Sequence, residues 1–432
     1  MDIKLIRDDP EAVRLNLERR HDREKLELLE RVVEDDTRWR ELTTRVNDLR
    51  ARRNRISSEI GRVMKEGGDS SSLRQEASRL PTMIGEVEAE RDETWESVRG
   101  ALMRLPNILH ESVPYGADES ENVEVKRWGR PPEFGFEPVS HVEVATGLGI
   151  MDLERAAKTS GAGFYYLRNE MVLLDYAIIR YATDFLLERG YTLIEPPYMI
   201  RRRPYEGVTD LADFESVMYK MEGEDLYLIA TSEHALASMF MDEVFLAEGL
   251  PIRLAGVSPC FRREVGTHGK YTKGMFRVHQ FNKVEQFIFS LPEQSWELHE
   301  ELQRNCEALY EGLGLHYRVV NVCTGDIGSI AAKKYDMEVW MADGEFREVG
   351  SNSNCTDYQA RRLNIRYRMK EGQSPEGPVH TLNNTALATS RTMLAILEQF
   401  QREDGSVVVP EALRKYMNGI EVIDGSLNPL KV

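Results

Sequence analysis

Residues 260–289 read CFRREVGTHGKYTKGMFRVHQFNKVEQFIF. Apolar, β-prone runs at both ends flank a stretch holding Gly266, Gly269, Lys270, Lys273 and Gly274, a pattern that predicts two antiparallel strands joined by a basic tip. Arg262 and Glu264 are two apart, so a strand carries them on one face. The same alternation groups Arg277, His279, Phe281, Lys283 and Glu285. Guanidinium groups suit phosphates, an aromatic ring suits a base, and carboxylates accept from amino groups, so the pair of strands is a candidate nucleotide surface. A merely solvated charged face is the competing reading.

Around this segment a long apolar helical pattern over 167–189 mixes with short β-rich runs at 227–229, 287–289 and 317–322, which predicts an α+β domain. The preceding stretch, ESVPYGADESENVEVKRWGRPPEFGF at 111–136, reads as a linker by composition. The expected organisation is therefore a helical arm over 1–110 and an antiparallel sheet flanked by helices over 111–432.

In the arm, Leu42, Val46, Leu49, Ile56, Ile60 and Val63 form a heptad seam that needs a partner helix. Gly67, Gly68 and Asp69 mark a turn, after which Leu73, Ala77, Leu80, Ile84, Val87, Val98, Leu102 and Leu105 resume the spacing. An antiparallel coiled-coil hairpin follows, with Pro81 expected to bend or break its second helix. Between Arg45 and Lys65 stand seven basic residues (Arg45, Arg50, Arg52, Arg53, Arg55, Arg62, Lys65) against Asp48 and Glu59. Such a stripe suits a phosphate backbone. A dimerising coiled coil with a solvated face is the bland alternative.

The formal net charge is -17, which excludes a protein that coats nucleic acid indiscriminately and confines any RNA contact to local patches. No run of eighteen apolar residues occurs, and the first twenty residues lack a secretory apolar stretch, so a cytoplasmic protein without membrane contact is expected. Cys260, Cys306, Cys323 and Cys355 form no CxxC pair and are expected to be reduced and mostly buried. With no HExxH among nine histidines, no zinc is expected, and His279 and His380 read as structural.

FRREVG at 261–266 and FRVHQFNKVEQ at 276–286 resemble motif 2 of class II aminoacyl-tRNA synthetases, in a wording close to the seryl family. The helix Val172–Arg189 leading into GYTLIEPPYM, with Pro197, is similar to motif 1. The segment at 380–417, HTLNNTALATSRTMLAILEQFQREDGSVVVPEALRKYM, resembles motif 3. TSE at 231–233 and EFREVGSNSNCTDYQARRLNIRYR at 345–368 match the seryl type as well, although Ser232 stands where alanine is common.

The resemblance implies a ligase that joins serine to ATP as seryl-adenylate and passes serine to the 3′ end of tRNA(Ser), with tRNA(Sec) a further candidate acceptor. It implies Arg262 at the α-phosphate and Arg391 at the γ-phosphate as the catalytic residues, Phe281 on the adenine face, Glu264 at the adenine amino group and Arg277 assisting. Arg263, Val278, Val349 and Gly350 complete the ATP set, and Glu348 and Ser351 would meet Mg2+ arriving with ATP. Thr231, Ser232, Glu233, Glu285 and Thr385 are the serine positions. Arg45, Arg50, Arg52, Arg53, Arg55, Lys270 and Lys273 are the tRNA positions, and motif 1 implies a homodimer. Two other readings follow different chemistry. A relative that loads a carrier protein would lack the arm, and an inactive RNA-binding scaffold would have lost some of Arg262, Glu264, Arg277, Glu285, Glu348 and Arg391, all of which are present.

Overall fold

The computed structural model describes residues 1–210, 215–264 and 274–427 and divides into two compact units, Met1–Ile108 and Leu109–Val432. The first unit begins with two short helices, Ile3–Asp8 and Pro10–Glu18. Asp2 and Asp9 cap them by accepting from the N–H groups of Lys4 and Ala12, and Pro10 occupies the first turn, where its missing N–H costs nothing. Two long helices follow: α1, Arg23–Lys65, and α2, Ser71–Arg104. The 43 residues of α1 span roughly 65 Å at 1.5 Å per residue.

Partners fall along α2 as they rise along α1, from Glu24 with Arg104 through Arg38 with Glu90 to Arg52 with Glu76, so the pair is antiparallel. Leu42 and Val46 pack against Val87, while Ile6, Val13 and Leu17 of the short helices close the base against Leu28, Val32, Val98 and Leu105. The expected break at Pro81 does not occur, because α2 runs through it. Proline removes one intrahelical donor, but this one is exposed, while its neighbours Leu80 and Ile84 keep the buried seam.

The second unit is organised by an eight-stranded sheet. Its strands are β1 (Val123–Trp128), β2 (Thr192–Ile194), β3 (Ile252–Phe261), β4 (Gln280–Ser290), β5 (Tyr317–Asn321), β6 (Lys333–Trp340), β7 (Phe346–Asn354) and β8 (His380–Ala388). Their spatial order is β1-β5-β6-β7-β8-β4-β3-β2, antiparallel throughout except for the β2–β3 pair. The stretch expected to be a linker thus contains an edge strand, paired from Val123↔Asn321 to Trp128↔Tyr317. Its first five side chains are exposed, so no in–out alternation reveals it, and backbone pairing with the stacking of Trp128 on Tyr317 holds it instead.

Five helices matter to the site: α3 (His141–Gly147), α4 (Glu170–Leu187), α5 (Ser232–Ser238), α6 (Ser295–Leu313) and α7 (Thr389–Gln399). Helix α6 lies on the sheet and is tied to it by polar side chains as well as apolar ones. Asn305 donates to Gln286 Oε1 at 2.9 Å, and Asn384 donates to the carbonyl of Leu302 at 2.8 Å. These bonds satisfy groups whose burial would otherwise be costly. All four cysteines are free and buried.

On the other side of β4, Phe287 and Phe289 pack with Leu236, Leu254 and Leu363. Phe287→Ala should lower unfolding stability by about 3–5 kcal/mol, read from the denaturant midpoint, because a fully buried aromatic ring leaves a cavity. A loss under 1 kcal/mol would mean that this cluster does not support the sheet.

Candidate active site

The site is built where β3, β4, β7 and β8 lie side by side. The pairing of β3 with β4 sets Cys260 opposite Phe281 and Gly256 opposite Glu285, and β8 sets Thr385 on the other side of Glu285. Phe281, Lys283 and Glu285 share a face, as the alternation predicts. Arg262, Glu264, Arg277 and His279 do not extend these strands as expected. Strand β3 ends at Phe261, Glu264 has φ +46°, and β4 begins only at Gln280. A residue in the left-handed region turns the chain out of the pleat. Arg262 nevertheless remains beside the sheet, since its N–H donates to the carbonyl of His279 at 3.0 Å and its guanidinium lies 5.2 Å from the Phe281 ring centre. Arg277 meets Glu264 at 3.4 Å.

A cavity of about 390 Å³ opens here. At one end Arg262, Arg391 and Lys334 surround Glu348. Arg391, in the first turn of α7, donates to the carbonyl of Glu348 at 2.7 Å and has its guanidinium 4.6 Å from the Phe276 ring centre. Loss of water alone would raise the Glu348 carboxyl, but the charges of Arg391, Lys334 and Arg262 outweigh it and hold the group well below the usual range. Ser351 donates to Glu348 Oε1 at 3.2 Å. A register shift between β6 and β7 makes Val349 an extra residue, pairing Met337 with Gly350 and Glu338 with Glu348. Such a bulge re-aims side chains, and Glu348, Val349, Gly350 and Ser351 consequently all line the cavity.

The other end is anionic. Glu233 and Glu285 approach each other across the floor, with Thr231 and Thr385 beside them, and Lys283 forms an ion pair with Glu285. Glu233 accepts from Gln359 Nε2 at 2.8 Å, yet loss of water and then the neighbouring Glu285 push its carboxyl up to about 7. Thr231 caps α5 by accepting from the N–H of Glu233. Helix α5 can approach because Gly256 lacks a side chain: a Cβ there would lie 2.6 Å from Ser232 Oγ.

Of the expected site residues, the cavity gathers Thr231, Glu233, Arg262, Phe281, Glu285, Glu348, Val349, Gly350, Ser351, Thr385 and Arg391. Ser232 is fully buried against Gly256, Val278 is buried, and Arg263 is exposed with its N–H donating to Val217, so these three do not line it. Glu264 and Arg277 pair outside its lining. Lys270 and Lys273 lie outside the described residues. Sequence reasoning missed Lys334, Asn383 and the stretch 326–331, and it assigned no role to Lys283. The alternation that grouped Lys283 with Phe281 and Glu285 was the available signal for that residue.

Two family models match the chain: the seryl-tRNA synthetase N-terminal domain over residues 1–109, and the tRNA synthetase class II core domain (G, H, P, S and T) over residues 215–400. A serine–tRNA ligase of Methanoculleus marisnigri is 57% identical over 424 residues, covering 98% of this chain and 100% of that relative. The crystal structure of a seryl-tRNA synthetase from Pyrococcus horikoshii complexed with ATP is 49% identical, with a TM-score of 0.95 over 98% of this chain and 99% of that one. A cytoplasmic serine–tRNA ligase from Naegleria fowleri in complex with AMP is 35% identical, with a TM-score of 0.90 over 98% of each chain.

The raised Glu233 carboxyl has a measurable consequence. Below about pH 4.5 it is protonated folded or unfolded, and no penalty arises; above about pH 7 it is ionised in both, and the folded state bears the full cost of burying the charge. Glu233→Gln should therefore stabilise the protein by ~1–3 kcal/mol at pH 8, the gain fading towards pH 5 in chemical denaturation. A variant equally stable to the native chain at pH 8 would show that Glu233 is not strained by its surroundings.

Proposed function

This chain belongs to the seryl-tRNA synthetase family, and we propose from that premise how its residues divide the work. It is a serine–tRNA ligase: it activates L-serine with ATP to seryl-adenylate, releasing pyrophosphate, then transfers serine to the 3′ end of tRNA and releases AMP. The observation that carries the assignment of residues is the polarity of one cavity, with phosphate-seeking cations at one end and ammonium-seeking carboxylates at the other.

In the proposed arrangement ATP lies along β4, with adenine on Phe281, the α-phosphate at Arg262 and the γ-phosphate at Arg391. Glu264 accepts from the adenine amino group while Arg277 steadies both Glu264 and the phosphates. The ammonium of serine sits between Glu233 and Glu285, and its hydroxyl meets Thr385, whose own hydroxyl lies 3.5 Å from Glu285. The serine carboxylate then attacks the α-phosphorus and the bond to pyrophosphate breaks. No protein base is needed, since the carboxylate is already ionised. The protein instead aligns the reactants and neutralises charge developing on phosphate oxygens.

Glu348 and Ser351 offer oxygen donors 3.2 Å apart, and the chemistry of that pair fits a hard cation such as Mg2+. Bound there with ATP, the ion would supply further neutralisation of phosphate charge. Among the described residues no group of three or more His, Cys, Asp or Glu is placed to hold a metal ion. A site that hydrogen-bonds the serine hydroxyl would reject alanine by about 10⁴-fold, because alanine leaves polar groups unpaired.

We assign the arm to tRNA(Ser). Arg50 and Arg52 pair with Glu88 and Glu76, whereas Arg45, Arg53 and Arg55 are exposed and carry no ion pair among the described residues, leaving them available to phosphates. We also propose a homodimer through motif 1: Tyr176 and Leu187 on α4, and Leu193 on the edge strand β2, keep 62, 47 and 36% of their exposure. Among the described residues no helix is long and apolar enough to cross a membrane, and a cytoplasmic location is the corresponding proposal.

Serine-dependent exchange of labelled pyrophosphate into ATP tests the activation step, with threonine, alanine, glycine and cysteine as competitors. Serine alone should support exchange; preference for alanine or glycine would point to carrier loading. Arg262→Ala should reduce exchange by at least ~100-fold while tRNA binding survives. The triple variant Arg45→Ala, Arg53→Ala and Arg55→Ala should do the reverse, weakening tRNA binding and flattening its salt dependence. Near-native exchange by Arg262→Ala would overturn the active-site assignment.

A further inference from the structure

Helix α7 carries Arg391 in its first turn and a fully buried carboxylate, Glu398, near its end. Both oxygens of Glu398 are engaged. Oε1 accepts from the backbone N–H of His141 at 3.0 Å and faces His141 Nδ1 at 2.8 Å, while Oε2 accepts from the N–H of Ala342 at 2.9 Å. His141 opens α3 and is itself 2% exposed. Its Nε2 accepts from the backbone N–H of Met275 at 3.4 Å. With a backbone N–H donating to Nε2 and the carboxylate facing Nδ1, the ring is oriented between the two and held in the tautomer that donates through Nδ1.

The backbone reaches this imidazole because residue 274 is glycine. A Cβ there would lie 2.3 Å from His141 Nε2 and 2.5 Å from Val142 Cγ2, and φ at Gly274 is +81°. The next residues act directly on the cationic end of the cavity. The carbonyl of Phe276 accepts from Arg391 Nε at 3.4 Å, its ring lies under the Arg391 guanidinium, and Arg277 meets Glu264. One short path therefore runs from Glu398 through His141 to Met275 and returns through Phe276 to Arg391, both of its ends on the same helix.

We propose that the His141–Glu398 pair is a positioning device that fixes the backbone at Met275–Arg277 against α7, and thereby sets where Arg391 and Arg277 meet the phosphates of ATP. This rests on the reading that those arginines hold phosphates. Neither His141 nor Glu398 lines the cavity, so both act through the arginines and not on the substrate. A pair that only stabilised the fold would, when broken, lower the fraction of active enzyme and leave the KM for ATP alone. A positioning pair changes that KM, because the surviving folded molecules grip the phosphates less well.

The test is pyrophosphate exchange by the full-length enzyme, with KM for ATP and for serine measured separately in His141→Ala, His141→Gln, Glu398→Gln and Arg391→Ala. His141→Ala should raise the KM for ATP about tenfold, the scale of one lost hydrogen bond to a charged or oriented group, with the KM for serine within about twofold. His141→Gln, whose amide oxygen can reach the place of Nε2, should recover most of that loss. If His141→Ala does not fold, Glu398→Gln carries the same expectation: its amide cannot accept on both sides, so it loses either Ala342 or the tautomer of His141. An unchanged KM for ATP in the folded variants, with only kcat reduced, overturns the positioning role, provided that Arg391→Ala raises it. An unchanged KM for ATP in Arg391→Ala itself overturns the phosphate reading on which the inference stands.

Discussion

The ten-residue antiparallel pairing of β3 with β4, from Ile252↔Phe289 to Phe261↔Gln280, is the constraint from which the site follows. It brings Arg262 to the Phe281 ring at one end and sets Gly256 opposite Glu285 in the middle. Because Gly256 presents no side chain, α5 packs down on β3 and delivers Thr231 and Glu233 to the cavity. On the far side of β4, β8 brings Thr385 to Glu285, and Gly350 on β7 admits Thr385 at a distance where a Cβ would lie 2.8 Å from it. The carboxylate end of the site is thus shaped as much by two absent side chains as by those present.

Electrostatics then divides this one cavity into two environments. Where Arg262, Arg391 and Lys334 face Glu348, that carboxylate is held ionised, and since Lys334 is also paired with Asp336 at 3.1 Å, the two arginines are the cations left to meet an anionic ligand. Where two carboxylates face one lysine, Glu233 stays proton-avid and the end awaits a cation. In the proposed arrangement the ammonium of an amino acid and the phosphates of a nucleoside triphosphate bring complementary charges to these ends, and each offsets the repulsion among the like charges gathered there. Binding is in this sense supported by strain placed in advance, which is why a stabilising substitution at Glu233 is expected to be a functional loss.

What the sequence made legible follows from how each feature is encoded. The arm was readable because heptads repeat over many turns, and Leu42, Val46, Leu80, Ile84 and Val87 are all buried along it. Phe281, Lys283 and Glu285 were readable because strand alternation is strict inside a paired strand. Alternation failed at Glu264 and before Gln280, where positive φ and the end of pairing replace the pleat with a turn. It failed again for β1, whose side chains meet solvent, and could not foresee that a bulge at Val349 would bring four consecutive residues to the cavity. Lys334 joins the site only through the long-range order of strands, which local pattern does not contain.

The charge of the whole chain bears on how such a protein can handle a polyanion. With a formal charge of -17 the average surface repels RNA, and salt screens that repulsion beyond about 8 Å, so attraction has to come from cations clustered more closely than that distance. Arg45, Arg53 and Arg55, which carry no ion pair among the described residues, lie along about three turns of α1, roughly 15 Å at 1.5 Å per residue, so their charge is gathered along one helix rather than spread over a broad face. A line of cations on a helix recognises a backbone by its path, whereas a diffuse basic surface holds any backbone. An acidic protein with a basic stripe can therefore reject most RNA by default and retain only a molecule long enough, and shaped, to follow the stripe.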